Sequence, residues 1–242
     1  MELVHAPVPE LKHLITQSFE DWVRLRQGAV EARAETSSCA LSGGNTALLF
    51  LPALRAAAVD WSKITLFWAD ERAVDVDDPE SNYGLAHRML LEPLGAKAPR
   101  AIRMPTELPL GEAALKYDEV LATELNGRGL DLAILGIGED GHICSLFPGH
   151  KALLQEDLRA VAVEDAPKLP RRRLSLTMRF VLQTRKIWIV AVGSRKLAAL
   201  HTALSKTQRS TPLDLLIHQA KDITVFTDQV IRSAALHSRP YS

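Results

Sequence analysis

The side chains best suited to chemistry fall in three short stretches, and the richest is Leu135-Gly136-Ile137-Gly138-Glu139-Asp140-Gly141-His142, continuing to Cys144, Pro148-Gly149 and His150. Asp140 and His142 stand two residues apart across a glycine, so the carboxylate can orient an imidazole that serves as a base near neutral pH. A structural histidine satisfied by a local carbonyl is the other reading open for His142. Gly136, Gly138 and Gly141 also satisfy dinucleotide spacing, with Glu164 as a ribose-binding acid. That motif needs a continuing helix after its third glycine, and Pro148-Gly149 interrupts too early, so no nucleotide cofactor is expected. His142, His150 and Asp140 lack the paired spacing of a metal site, and no metal is expected. Cys144 reads as a small buried hydrophobe rather than a nucleophile.

The second stretch is Ser42-Gly43-Gly44-Asn45-Thr46, ahead of a helical run expected over Ala47 to Ala58. Two glycines let main-chain N–H groups approach an anion, and Ser42, Asn45 and Thr46 add short donors at a positive helix end. This is the chemistry of a phosphate cradle. A plain glycine turn with Asn45 or Thr46 as the helix cap is equally open. The third stretch is Asp70-Glu71-Arg72, followed by Asp75, Asp77 and Asp78. Carboxylates beside an arginine fork can position sugar hydroxyls or an oxyanion. The alternative is a solvated acidic loop leading to a helix capped by Asn82. Arg171-Arg172-Arg173 is either a solvated basic face or a local phosphate clamp; it lacks the interleaved aromatics of a nucleic-acid surface.

These stretches need elements to position them. Apolar runs bounded by turn residues predict buried strands at Cys39 to Leu41, Ile64 to Trp68, Leu132 to Leu135, Ile187 to Val192 and Ile223 to Phe226. Leu11, Leu14, Ile15, Phe19, Trp22 and Val23 share one helix face, predicting a helix from Glu10 to about Ala34. Further helices are expected over Glu112 to Leu125, with Leu115, Leu121 and Leu125 on one side, and over Ser194 to Leu204. Strands alternating with helices imply a three-layer, Rossmann-like α/β fold, a mostly parallel sheet covered by helices on both faces. Ligands in such sheets bind at the carboxyl ends of strands, where all three stretches would lie.

The chain has 242 residues, 47% hydrophobic and 24% charged, which suits one globular domain spanning 1–242 and excludes disordered or collagenous classes. Its 29 basic and 29 acidic residues cancel, so no global field attracts nucleic acid or an anionic membrane. The uncharged stretch Thr36 to Leu54 is too interrupted by Ser, Gly, Asn and Pro to span a membrane. Only Cys39 and Cys144 are present; no disulfide is expected, and a cytoplasmic location fits.

With these motifs in order, the sequence resembles the 6-phosphogluconolactonases and, more distantly, the glucosamine-6-phosphate deaminases that share their fold. The carriers are Leu41 to Thr46, Phe67-Trp68-Ala69-Asp70-Glu71-Arg72, Ser81-Asn82-Tyr83, Asp131 to His142 with Ser145 to Gly149, Arg173-Leu174-Ser175-Leu176-Thr177, and Gly193-Ser194-Arg195-Lys196. Deaminases usually show Asp-Glu-Tyr and Phe-Asn-Glu-Pro where this chain has Asp70-Glu71-Arg72 and Ser145-Leu146-Phe147-Pro148, which favours the lactonase. Asn45-Thr46-Ala47 departs from the usual Ser-Thr-Pro, and Cys144 replaces a small residue. The resemblance implies hydrolysis of a sugar-phosphate lactone, with His142 as base, Asp140 orienting it and Arg72 stabilising charge. It implies phosphate and sugar contacts from Ser42, Gly43, Gly44, Asn45, Thr46, Asp70, Lys196 and an arginine, taken as Arg173 rather than Arg171 or Arg172. No metal or nucleotide enters that scheme, and the expected assembly is a monomer or small homo-oligomer. Two other functions stay open: a deaminase or isomerase with Asp70 as base, and a sugar-phosphate sensor.

Overall fold

Five short apolar runs become the centre of a seven-stranded, wholly parallel sheet. The computed structural model of the chain describes residues 1–30, 36–205 and 210–231. Its strands are β1 (Glu2–His5), β2 (Ser37–Leu41), β3 (Ile64–Trp68), β4 (Asp70–Arg72), β5 (Arg100–Ile102), β6 (Leu132–Gly136), β7 (Ala160–Val163), β8 (Arg173–Leu176), β9 (Lys186–Ala191) and β10 (Ile223–Thr227). The main sheet has the order β1-β10-β9-β6-β2-β3-β5, and β4-β8-β7 form a separate antiparallel sheet. The five expected strands are all present, shifted by at most two residues at an end. Every residue of β2, β3 and β10 is buried, as parallel strands covered on both faces require.

The helices are α1 (Val8–Val30), α2 (Gly44–Ala56), α3 (Asn82–Ala86), which runs through a π turn at His87–Leu91 into α4 (Glu92–Leu94), then α5 (Leu110–Glu124), α6 (Met178–Leu182), α7 (Ser194–Leu204) and α8 (Pro212–Gln219). From β2 the chain steps through β3 to β5, then returns across β2 to β6 and continues through β9 to β10. Right-handed crossovers in opposite directions place α1 and α2 on one face and α7 and α8 on the other. The six expected residues of α1 are all buried, with Phe19 packed against Trp22, Trp61 and Trp188. The expected end of that helix at Ala34 lies outside the described residues.

Four expectations are corrected. The buried side of α5 is Leu110, Ala113, Ala114, Tyr117 and Leu121, whereas Leu115 is 55% exposed, because a spacing of six residues carries Leu115 away from Leu121. Helix α2 starts at Gly44, before Ala47, and neither Asn45 nor Thr46 caps it: Gly43 is the N-cap and supplies no side chain. Asn82 does not cap α3; the Ser81 hydroxyl accepts from Gly84 N, and Asn82 is turned to other partners. Asp70 to Arg72 is a strand rather than a solvated loop, with Asp70 and Glu71 buried.

That strand makes the site. The chain leaves β3 and passes into β4 through Ala69 alone, which hydrogen-bonds Leu41 O on one side and Leu176 N on the other. β5 stops short of Trp68, and the Tyr117 hydroxyl from α5 takes its place, accepting from Trp68 N at 3.0 Å and lying 3.2 Å from Trp68 O. The small sheet therefore stands directly on the carboxyl end of the large one. No helix among the described residues is long and apolar enough to cross a membrane.

Candidate active site

A cleft of about 160 Å3 opens where the strand order reverses, at the carboxyl ends of β2 and β6. It gathers Ser42 to Thr46, Asp70, Arg72, Asn82, Gly136 to Glu139, His142, Cys144, Lys168, Arg173 and Lys196. Among the candidate residues only Asp140 is absent from this lining, and it contacts His142 from behind. The three stretches, separated by up to about a hundred residues in sequence, thus meet.

On the β2 side the donors come from the backbone. Since Gly43 caps α2 without a side chain, the first-turn N–H groups of that helix have no capping oxygen. Among the described residues, Ser42 Oγ and Arg72 Nε are buried polar atoms without a protein partner, and both residues line this part of the cleft. Asn82 ties the parts together. Its Oδ1 accepts from Arg72 Nη1 at 2.5 Å, its Nδ2 donates to Asp70 O at 2.8 Å, and a Cβ added at Gly43 would lie 1.7 Å from Asn82 Oδ1. Gly43 is needed because the amide occupies that space.

Strand alternation explains Asp70-Glu71-Arg72. Asp70 and Arg72 point into the cleft, and Glu71 points away. Its carboxylate instead accepts from Arg72 N, Asn82 N and Tyr83 N, at 2.8, 2.7 and 2.6 Å, so it serves the positive end of α3. Burial pushes its carboxyl above the usual range against those three N–H groups, which pull the other way. Antiparallel register sets Arg72 opposite Arg173 and Asp70 opposite Ser175. Ser145 Oγ donates to Asp70 Oδ2 at 2.8 Å, fixing the carboxylate between the arginines and the β6 loop.

Arg173 lines the cleft, whereas Arg171 and Arg172 are exposed outside it, Arg172 paired with Glu164 at 3.0 Å. Much of the Arg173 fork is committed to the chain itself. Nε donates to Pro170 O, and Nη2 to Lys168 O and Leu169 O. Burial lowers its pKa, with Asp70 opposing and Arg72 adding to the effect.

On the β6 side the groups are side chains. Residues 137–150 form turns and isolated bridges with no helix, so Gly141 opens none, and a dinucleotide site has no helix to rest on. His142 Nδ1–H donates to Asp140 Oδ1 at 2.5 Å, which leaves Nε2 as the basic nitrogen. A Cβ at Gly138 would lie 1.9 Å from His142 Nδ1, so the missing side chain makes room for the pair. The Phe147 ring packs 4.5 Å from the imidazole. Burial acts to raise the Asp140 carboxyl, but the hydrogen bond and charge of His142, then of Lys168, overcome it and hold the group well below the usual range. Cys144 has a positive φ of 50° and is buried; burial, then Asp70, pushes its thiol up, so it is a poor nucleophile.

Four cations, Arg72, Lys168, Arg173 and Lys196, line the cleft against Asp70 and Glu139. Lys196, in the first turn of α7, donates to Ile137 O. Burial lowers its pKa, and Lys168 and Arg195 add to this while Glu139 and Asp140 oppose it. Such crowding suits a site built for an anion. Lys168, Asn82 and Ser145 are the residues that reading the sequence for chemistry did not select. A lone lysine among prolines, an asparagine that looks like a cap and a serine beside a more eye-catching cysteine carry no spacing signal.

Residues 9–226 match the family model described as glucosamine-6-phosphate isomerases/6-phosphogluconolactonase. A 6-phosphogluconolactonase of Mycobacterium tuberculosis is 37% identical over 206 residues, covering 81% of this chain and 83% of that one. The human 6-phosphogluconolactonase is 35% identical over 230 residues, covering 88% of each. The crystal structure of a 6-phosphogluconolactonase from Shewanella baltica matches with a TM-score of 0.79 at 28% identity, over 93% of this chain and 96% of that one.

Proposed function

The chain belongs to the glucosamine-6-phosphate isomerase/6-phosphogluconolactonase family, and on that premise we propose that it hydrolyses 6-phospho-D-glucono-1,5-lactone to 6-phospho-D-gluconate, a step of the pentose phosphate pathway. The observation that carries this reading is the Asp140–His142 pair standing in the same cleft as an uncapped helix N-terminus. The 6-phosphate rests on the N–H groups of α2, with Ser42, Asn45 and Thr46 beside it and charge from Arg72, Lys196 and Arg173. Arg72 belongs to this end, because a Cβ at Gly44 would lie 3.8 Å from its Nη2. Held there, the sugar directs its lactone carbonyl toward His142.

His142 Nε2 then takes a proton from water as its oxygen bonds to C1, while Asp140 orients the ring and stabilises the imidazolium. The tetrahedral intermediate collapses with cleavage of the bond from C1 to the ring oxygen, which receives the proton back from His142. No metal, nucleotide or covalent intermediate takes part. The deaminase alternative asks Asp70 to abstract a carbon-bound proton; that carboxylate is 5% exposed and already accepts from Ser145, which favours the lactonase. The assembly this reading expects is a monomer or small homo-oligomer. Two buried, unbridged thiols suit the cytoplasm.

The test is a coupled assay with the purified chain. It should speed lactone hydrolysis well above the spontaneous rate and release no ammonia from glucosamine 6-phosphate. Ammonia release without lactone hydrolysis would reverse the assignment; binding of the sugar phosphate with neither reaction would leave a sensor.

A further inference from the structure

Among the described residues, one cation of the cleft touches the Asp140–His142 pair itself. Lys168, on the connection between β7 and β8, donates from Nζ to Asp140 Oδ1 at 3.2 Å, the same oxygen that accepts from His142 Nδ1 at 2.5 Å. Its own carbonyl, with those of Leu169 and Pro170, accepts from Arg173. The backbone of Lys168 is therefore held independently of what its side chain does.

We propose that Lys168 is a positioning residue for the proton-transfer pair: its ammonium fixes Asp140 Oδ1 toward His142 and opposes a second positive charge beside it. An imidazolium and an ammonium sharing one carboxylate oxygen repel each other, so the lysine works against a charge on the ring. By the same repulsion it makes the protonated ring a readier donor to the departing ring oxygen. The other charges around His142 do not duplicate it. Glu139, on the same loop, pairs with Arg195 of α7 at 3.3 Å. Lys196 of α7 donates to Ile137 O, Arg173 of β8 sits over Phe147, 5.6 Å from the ring centroid, and α8 presents the uncharged Thr211 to Gly141. Among the described residues, Lys168 is the cation that touches Asp140.

This inference rests on the lactonase reading, and its test separates the two. Lys168→Met and Lys168→Arg are prepared in the full chain, and kcat and KM for 6-phosphogluconolactone are followed from about pH 5 to 8, with spontaneous hydrolysis subtracted. Lys168→Met should lower kcat by about tenfold with KM changed less than about twofold. It should also move the acid limb of kcat/KM to higher pH by about half to one unit, and Lys168→Arg should restore that limb. An unmoved limb, a rise in KM at constant kcat, or a limb that arginine fails to restore overturns the assignment of Lys168 while leaving the lactonase intact. A wild-type chain that does not hydrolyse the lactone overturns both.

Discussion

Two loops leave neighbouring parallel strands at the same edge of the sheet, and they work by opposite means. After β2, the Ser42 to Asn45 turn runs straight into a helix, and its binding groups are main-chain N–H donors. After β6, the chain makes no helix for fourteen residues, 137–150, and its working groups are the side chains of Asp140 and His142. Both loops are glycine-rich, and in each one glycine gives up a Cβ so that a polar group can occupy the space. At Gly43 that group is Asn82, and at Gly138 it is His142. The contrast teaches that a glycine pattern reports close approach, and only the following helix, or its absence, tells backbone recognition from side-chain chemistry.

The largest expected effect falls on the β6 side. His142→Ala should lower kcat by about a hundredfold to ten-thousandfold with KM nearly unchanged, since a general base acts mainly in the transition state. Near-normal turnover in the purified variant would dissolve the contrast. Next, at the proposed phosphate, Lys196→Ala in α7 should weaken substrate binding by roughly thirtyfold, on the order of 2 kcal/mol for an ammonium removed from a partly desolvated phosphate site. It should also lose the preference for the phosphorylated lactone over gluconolactone. Unchanged affinity together with unchanged discrimination would move the phosphate away from this end.

A smaller effect sharpens the division without catalysis. Inorganic phosphate at about ten times its Kd should raise Tm by roughly 3 °C in the wild type and in His142→Ala, and by much less in Lys196→Ala. Equal shifts in all three proteins would place the anion elsewhere. The smallest effect is a pH dependence of stability. The Asp140 carboxyl is held below its ordinary range in the folded chain, so its pairing stabilises the fold above the unfolded value of about 3.9 and is lost as pH falls through the folded value. Solvent screening keeps this contribution small at a partly exposed group. Urea midpoints should therefore fall less between pH 7 and strongly acid pH in Asp140→Asn than in the wild type; parallel curves would contradict it.

The parts of the fold legible in the sequence are those where local pattern and tertiary role coincide. β2, β3, β6, β9 and β10 are buried on both faces and read as apolar runs, and the α1 face reads from its spacing alone. The small sheet was hidden for the opposite reason. Asp-Glu-Arg has poor intrinsic strand preference, and β4 exists because β8 pairs with it and Ala69 couples it to the large sheet. Arg173 was legible through the family motif, but its commitment to the carbonyls of Lys168, Leu169 and Pro170 was not, since main-chain acceptors leave no trace in a sequence. The same holds for β1 and β5, short edge strands with too few apolar residues to announce themselves.

The single-residue passage from β3 to β4 leaves the chain no slack, and this sets how descendants of this protein can vary. One residue inserted at Ala69 would turn Asp70 and Arg72 toward α3 and bring Glu71 into the cleft, because side chains alternate along a strand. Length changes are thus barred at this point, whereas the looped connection between β7 and β8 can lengthen without reversing any side chain. Divergence in substrate should therefore be written at Asp70 to Arg72 as exchanges of residue type and around Lys168 as insertions and deletions.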